Sequence, residues 1–264
     1  MQLQFAKWHG TGNDFILVDD RDGLLPVDDT ALIRRLCDRH SGIGSDGLIA
    51  LRSPHMHGTD FHMEFFNPDG SKSFCGNGSR CAFAFWSSLN GGVTDASFTA
   101  IDGVHEGTWS GDEVAITLPA VKRSDHDRGG KYEDFINTGS PHLLVWVDDV
   151  EAVDLVVDAP PRRHTSRFGP GGTNVNYVQS YGAGIRMRTY ERGVEAETLS
   201  CGSGVVAAAL SAVARGLVHA PVSVLTRGGS LSVEAENGPE QRFVSLRLIG
   251  PATYVYRGTI EILP

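Results

Sequence analysis

Much that would place this chain in a specialised class is missing from it. Among its 264 residues no apolar run reaches the length of a membrane span. The opening stretch, Met1 to Lys7, lacks the basic-then-apolar pattern of a secretory leader. There is no basic tract, and the formal net charge is −9, which argues against nucleic acid and anionic membrane as partners. The four cysteines do not form the pattern of a secreted disulfide framework. These absences lead to the expectation of a cytoplasmic protein with reduced thiols. What remains, 41% apolar residues and 32 glycines, suits a globular protein of one large or two modest domains.

Two of the cysteines occupy matching contexts. Phe74-Cys75-Gly76-Asn77-Gly78-Ser79-Arg80 and Ser200-Cys201-Gly202-Ser203-Gly204 share the order Cys-Gly-polar-Gly. Each precedes a run that is apolar nearly all round, Cys81 to Trp86 and Val205 to Ala214, and such runs predict helices buried in cores. A cysteine at the mouth of a helix meets amide N–H groups without intrahelical partners and the positive end of the dipole. Both favour a thiolate. The neighbouring glycines let an anion approach the bare amides.

The pairing extends beyond the cysteines. Thr11-Gly12-Asn13-Asp14-Phe15-Ile16-Leu17-Val18-Asp19-Asp20 resembles Thr138-Gly139-Ser140-Pro141-His142-Leu143-Leu144-Val145-Trp146-Val147-Asp148-Asp149. Gly12 and Gly139 stand 127 positions apart, and Cys75 and Cys201 stand 126 apart. Two matches at nearly one offset predict an internal duplication. The period is too long for a solenoid, so two similar domains are expected, each giving one cysteine to a shared cleft.

Along the chain, Phe5 to Trp8 and Phe15 to Asp19 read as strands around a turn from His9 to Asn13. Asp29-Thr30 caps a helix from Ala31 to about Arg39, with Cys37 on its apolar stripe. Gly42-Ile43-Gly44-Ser45-Asp46-Gly47 matches the letters of a dinucleotide fingerprint. It follows a helix and opens a strand, the reverse of the required order, and reads as a tight loop. His55, His57 and His62 fit no standard metal spacing and read as a solvated loop. Phe61 to Phe66 alternates as a strand and ends in the turn Asn67-Pro68-Asp69-Gly70, which places Asn67 near Cys75. Val104 to Trp109 and Glu113 to Leu118 flank a hairpin-like turn. Pro119 to Lys131 reads as the boundary between domains. In the second half, Asp148 to Asp158 reads as a helix or an irregular segment, and Pro160 to Gly172 as a loop. Strands are expected over Asn174 to Gln179 and Ile185 to Glu191, Arg192 to Ser200 as a turn into the second helix, and short strands to the end.

Two thiols facing one carbon suit a definite chemistry. A thiolate on one face abstracts a proton, and a thiol on the other returns one with inversion. Helix-tuned thiols have the pKa this needs, and a carboxylate beside the carbon rests on the helix amides. No metal and no pyridoxal phosphate is required.

These residues resemble the diaminopimelate epimerase family over essentially the whole length. The resemblance is carried by His9-Gly10-Thr11-Gly12-Asn13-Asp14-Phe15, Phe66-Asn67-Pro68-Asp69-Gly70, Cys75 to Cys81, Tyr190-Glu191-Arg192-Gly193 and Cys201-Gly202-Ser203-Gly204. It implies an α/β (α+β) fold of two pseudo-symmetric domains, each a curved, mostly antiparallel sheet around a buried central helix, with the active site in the cleft between them. The halves would be residues 1–118, with a last strand over 252–264 packing back on them, and 119–251. The resemblance implies interconversion of LL- and meso-2,6-diaminopimelate, in lysine and peptidoglycan biosynthesis, without a cofactor or metal and in a homodimer.

It also assigns residues. Cys75 and Cys201 become the acid/base pair, tuned by His142 and Glu191. Asn13, Asn67, Asn174, Glu191 and Arg192 become substrate contacts, and Gly76, Asn77, Gly202 and Ser203 supply amides around the reacting carboxylate. The chain departs from the family at Ser140, where many members carry Asn, and at Gly47, where some carry Gln. At Ser140 a direct contact becomes water-mediated or is lost. Two other readings use the same cysteines: a racemase or epimerase of proline-type amino acids, which has no use for the asparagines, and a redox dithiol, which predicts a readily formed disulfide.

Overall fold

The structure, a computed structural model, describes residues 2–122, 126–128, 130–239 and 242–262. The chain forms two compact units, Met1–Ile116 with Gly250–Pro264, and Thr117–Ile249. In chain order the elements are β1 (Gln2–Gly10), β2 (Asn13–Asp19), α1 (Thr30–Cys37), β3 (Gly47–Arg52), β4 (Phe61–Phe66), α2 (Gly76–Leu89), β5 (Asp95–Ala100), β6 (Gly103–Ser110) and β7 (Glu113–Leu118). There follow β8 (Val121–Lys122), β9 (His126–Arg128), β10 (Glu133–Asn137), β11 (Pro141–Trp146), α3 (Leu155–Arg163), β12 (Asn174–Tyr181), β13 (Gly184–Glu191), β14 (Ala196–Thr198) and α4 (Gly202–Ala214). The chain closes with β15 (Val222–Thr226), β16 (Gly229–Gly238), β17 (Arg242–Gly250) and β18 (Thr253–Glu261).

The same topology is built twice. In the first unit β1 pairs antiparallel with β18 and β2, β2 parallel with β3, β3 antiparallel with β4, β4 parallel with β5, and β5 antiparallel with β6. In the second, β10 pairs antiparallel with β9 and β11, β11 parallel with β12, β12 antiparallel with β13, β13 parallel with β15, and β15 antiparallel with β16. The mixed α/β fold with duplicated halves expected from the sequence is what the chain adopts.

Strand alternation decides which face meets which helix. In β2, Phe15 and Leu17 join the core that α2 fills, while Ile16 and Val18 face the core of α1. In β11, Leu144 and Trp146 join the core of α4, and Leu143 and Val145 that of α3. Helix α4 is Ala- and Val-rich and is buried from Gly202 through Ala212 except at Ser203. That is why it has no polar stripe: sheet surrounds it on most sides. Helix α2 is buried from Gly76 to Ser87. Burying each Phe, Leu or Val of these helices contributes about 1.5–3 kcal/mol.

Some local expectations needed correction. β1 and β2 extend inward to Gly10 and Asn13, leaving only Thr11 and Gly12 in the turn, both with positive φ (51° and 81°). Such a two-residue turn matches the twist of the strands it joins. The stretch read as a loop from Pro160 contains the end of α3, with Pro160 and Pro161 inside the helix. The Asp154 carboxylate caps Val156 and Val157, and Leu155, Ala159 and Arg163 are buried at helical spacing. Arg163 is tied to the Gly171 carbonyl and to Glu195, so tertiary anchors outweigh the backbone bonds the prolines lack. The turn read over Arg192 to Ser200 contains the short strand β14 on β13. Of the stretch read as a domain boundary, residues 123–125 and 129 lie outside those described, and β8 and β9 occupy part of the remainder.

Candidate active site

In the first unit the site forms where the β1–β2 turn meets the N-terminus of α2. Cys75 is the N-cap of α2, and its sulfur accepts the Gly78 N–H at 3.4 Å. The first intrahelical bond runs from Ser79 N–H to the Cys75 carbonyl, so the amides of Gly76 and Asn77 lie ahead of it. Asn13 Nδ2 donates to Asp46 Oδ2 at 2.9 Å. A carboxylate only accepts, so this bond fixes the amide's orientation and turns Oδ1 inward. There Oδ1 accepts from Asn77 Nδ2 at 3.2 Å and lies 3.9 Å from the Cys75 sulfur. Asn67, at the start of the loop to Cys75, is held by the Ser71 carbonyl and the Ser71 and Ser73 hydroxyls. Beside Asn13, burial alone would raise the Asp14 carboxyl. Arg39 and Lys7, the latter's Nζ 2.6 Å away, outweigh it and bring the carboxyl down to about 2.

One helical turn on, Arg80 is wholly buried. Its Nε donates to the Pro251 carbonyl at 3.3 Å, and neither Nη atom has a hydrogen-bond partner among the described residues. Burial lowers its pKa to about 10. The other two thiols stand apart from Cys75 and Cys201. Burial pushes Cys81 up to about 12 and raises Cys37, so both stay protonated in the core.

In the second unit Cys201 caps α4, with the Val205 N–H closing the first intrahelical bond on its carbonyl at 2.9 Å. Its sulfur lies 3.6 Å from Ser203 Oγ. That hydroxyl is 2.9 Å from His142 Nε2, and His142 Nδ1 is 3.2 Å from Asn176 Nδ2. Thr138 Oγ1 donates to the Ser203 carbonyl at 3.0 Å, pinning the β10–β11 turn to the helix mouth. Burial first, and the Arg192 charge second, push His142 down to about 3, so the imidazole is neutral near neutral pH. Asn174 donates to Ser140 Oγ at 3.0 Å and to the Pro141 carbonyl at 2.9 Å, and its Oδ1 accepts the Arg192 N–H at 2.8 Å. Glu191 Oε2 accepts from Thr198 Oγ1 at 2.8 Å.

Sequence reasoning thus reached Cys75, Asn13, Gly76 and Asn77, which the first unit gathers at one helix mouth. It also reached Cys201, Ser203 and His142, which the second unit gathers at the other. Asn174, Glu191 and Arg192 sit around the end of β13. Ser140, one of the two departures from the family pattern, accepts from Asn174 through its hydroxyl. The reading missed Asn176 and Thr138. A signal for Asn176 was present: Asn174 and Asn176, two apart on a strand, present polar groups to the same face. The solvated loop read over His55, His57 and His62 needs correction at its end: His62 lies half-buried on β4, its ring stacked on His55 at 3.9 Å and its Nδ1 bonded to Thr99 Oγ1.

What the two mouths offer is a pair of thiols, each with helix amides beside it, in unlike surroundings: a fixed amide carbonyl near Cys75 and a hydroxyl near Cys201. Comparison with known proteins gives this arrangement its context. The family model for diaminopimelate epimerase matches residues 5–117 and 135–255, which together cover both helix mouths. The diaminopimelate epimerase of Flavobacterium psychrophilum is 40% identical, over 98% of this chain and 100% of its own length. That of Aquifex aeolicus is 42% identical over 98% of each. Among solved structures, a phenazine biosynthesis protein of the PhzF family from Bacillus anthracis shares the fold, with a TM-score of 0.73, 12% identity and coverage of 99% of this chain and 100% of that one. The two helix mouths and the duplicated topology agree with these matches, and the chain belongs to the diaminopimelate epimerase family.

Proposed function

We propose that this enzyme interconverts LL- and meso-2,6-diaminopimelate without a cofactor, by proton transfer between Cys75, Cys201 and one α-carbon. The thiolate takes the α-proton as its electron pair passes into the adjacent carboxylate. The opposite thiol gives its proton to the other face of the carbon, and its sulfur is left as the thiolate. No oxidation state changes, and each turnover exchanges the two sulfurs' roles. The amides of Gly76, Asn77, Gly202 and Ser203 stabilise the charge on the carboxylate. Asn13, Asn67, Asn174, Glu191 and Arg192 receive the distal amino-acid end, and His142 and Glu191 bear on the thiols.

The observation that carries this reading is the repeated one: each unit caps its buried helix with a cysteine followed by a glycine and a polar residue. Local electrostatics support it, because a helix N-terminus lowers a thiol's pKa toward the working range. The reading places the enzyme in the cytoplasm, in lysine and peptidoglycan precursor synthesis, as a homodimer that sedimentation would reveal.

The test is isotope exchange. Reduced protein is incubated with LL-diaminopimelate in deuterated water, and α-deuterium and the meso isomer are followed. Exchange with inversion, abolished in Cys75→Ala and Cys201→Ala, is expected. Exchange with a proline-type amino acid alone would keep the two-thiol chemistry and overturn the substrate. Absence of exchange with either would overturn both.

A further inference from the structure

The two helix mouths are built alike but lined differently. Phe15 pairs with Gly47 across β2 and β3, and His142 pairs with Asn174 across β11 and β12, in the same parallel register. Two residues on, Ile49 stands opposite Leu17, and Asn176 opposite Leu144. Phe15 and Ile49 in the first unit therefore correspond to His142 and Asn176 in the second. An apolar pair supports α2, and a buried polar pair supports α4. A buried polar pair that replaces well-packed apolar side chains adds desolvation cost, and full hydrogen bonding must offset it.

The bonds of Asn176 define a direction. Its Nδ2 donates to the Leu143 carbonyl at 3.1 Å, and its Oδ1 accepts from Thr189 Oγ1 at 3.0 Å. A backbone carbonyl cannot donate, so the amide cannot be turned over without losing that bond. The second Nδ2 hydrogen then points at His142 Nδ1, 3.2 Å away, and requires a bare ring nitrogen there. In a neutral imidazole the proton must then sit on Nε2, which donates to Ser203 Oγ at 2.9 Å. With its lone pair engaged by Nε2–H, the Ser203 hydroxyl is left to donate its own hydrogen, and the Cys201 sulfur lies 3.6 Å away.

We infer that Asn176 is a positioning residue: it sets the Nε2–H tautomer of His142 and thereby makes Ser203 a hydrogen-bond donor to the Cys201 thiolate. As a contribution to catalysis this rests on the reading of Cys201 as one of the acid/base thiols. As a statement about hydrogen bonds it stands alone, and its test needs no substrate.

Protein labelled with 15N-histidine is examined by NMR, with the His142 signal assigned by its loss in His142→Gln. The expected result is Nε2–H in the parent and Nδ1–H in Asn176→Asp, whose carboxylate would accept from that nitrogen. In parallel, iodoacetamide labelling of Cys75 and Cys201 is followed peptide by peptide across pH. Asn176→Asp and Ser203→Ala should each raise the midpoint for Cys201 by about one unit, the worth of one hydrogen bond to a charged group. Ser203→Thr, which keeps the hydroxyl, should restore it, and the Cys75 midpoint should stay where it is in all three. Ser203→Ala leaves the Asn176–His142 pair in place, so it remains informative where Asn176→Asp does not fold. An Nδ1–H tautomer in the parent, or an unmoved Cys201 midpoint in Ser203→Ala, would overturn the inference. Should these results appear as expected in a protein that does not exchange diaminopimelate, the proposed activity falls and the relay stands.

Discussion

Gly204 packs so closely on Asn176 that a methyl group on its Cα would stand 2.7 Å from Asn176 Oδ1. The same methyl would lie 3.3 Å from His142 Cε1 and Nδ1. The glycine third after Cys201 thus makes room for the polar pair beneath the helix mouth.

Gly204→Ala is therefore expected to destabilise the protein by about 1–3 kcal/mol, since Asn176 is bonded on both sides and cannot yield. The matching change, Gly78→Ala, meets only the tip of Ile49, its Cδ1 at 3.1 Å, and ordinary contact with Cys75. There the helix gain of alanine over glycine, roughly 0.5–1 kcal/mol, offsets the crowding. Urea unfolding of the two variants checks the difference; equal losses would contradict it.

His142 predicts an acid-labile fold. Its pKa is pushed down from 6.5 to about 3 in the folded protein, so between these values the unfolded chain binds a proton that the native one does not. Stability should be full above about pH 6.5 and fall by up to roughly 1.4 kcal/mol per pH unit below it. Urea midpoints measured from pH 7 to pH 4 should decline less steeply in His142→Gln than in the parent.

Asp14 acts in a lower window. Its carboxyl is held at about 2, against an ordinary 3.8, so its contribution is present above about pH 4 and is lost as the pH falls toward 2. Asp14→Asn should cost about 1–2 kcal/mol at pH 7, a figure reduced for partial exposure. It leaves the buried Lys7 without its carboxylate. Thermal unfolding at pH 7 and pH 3 should separate parent and variant more at the first pH than at the second, where about half of the contribution is lost.

Arg80 is buried with only its Nε bonded among the described residues. Replacing a buried, poorly compensated charge with an apolar side chain of similar length is often neutral or stabilising. Arg80→Met should keep or raise the melting temperature. A fall of several degrees would show that the guanidinium has a partner worth more than its desolvation.

Much of the fold was legible because its rules are local. The Asp29 cap of α1 is an adjacent-residue effect, and its carboxylate takes the Ala31 and Leu32 amides as the sequence suggests. The alternation of β2 and the all-round apolarity of α4 translate directly into faces and burial. Pro160 misled because a proline's local signal is to end a helix, whereas α3 continues on the strength of Arg163's contacts with Gly171 and Glu195. In the candidate site, Cys75 and Cys201 could be picked out from motif and duplication, and Asn13, Ser203 and His142 from the family resemblance. For Asn176 the sequence offered only its place two residues from Asn174 on one strand face; its bond is to a neighbour 34 positions earlier in the chain.

By itself, then, the sequence determined that there are two halves, that each holds a buried helix, and that a cysteine caps each one. Capping, periodicity and repetition act over a few residues and survive without tertiary context. Only the tertiary structure decided what touches each sulfur. Parallel pairing of β11 with β12 brings Asn176 beside His142, and the register of that pairing, a property of packed sheets, orients the amide, the imidazole and the serine toward Cys201.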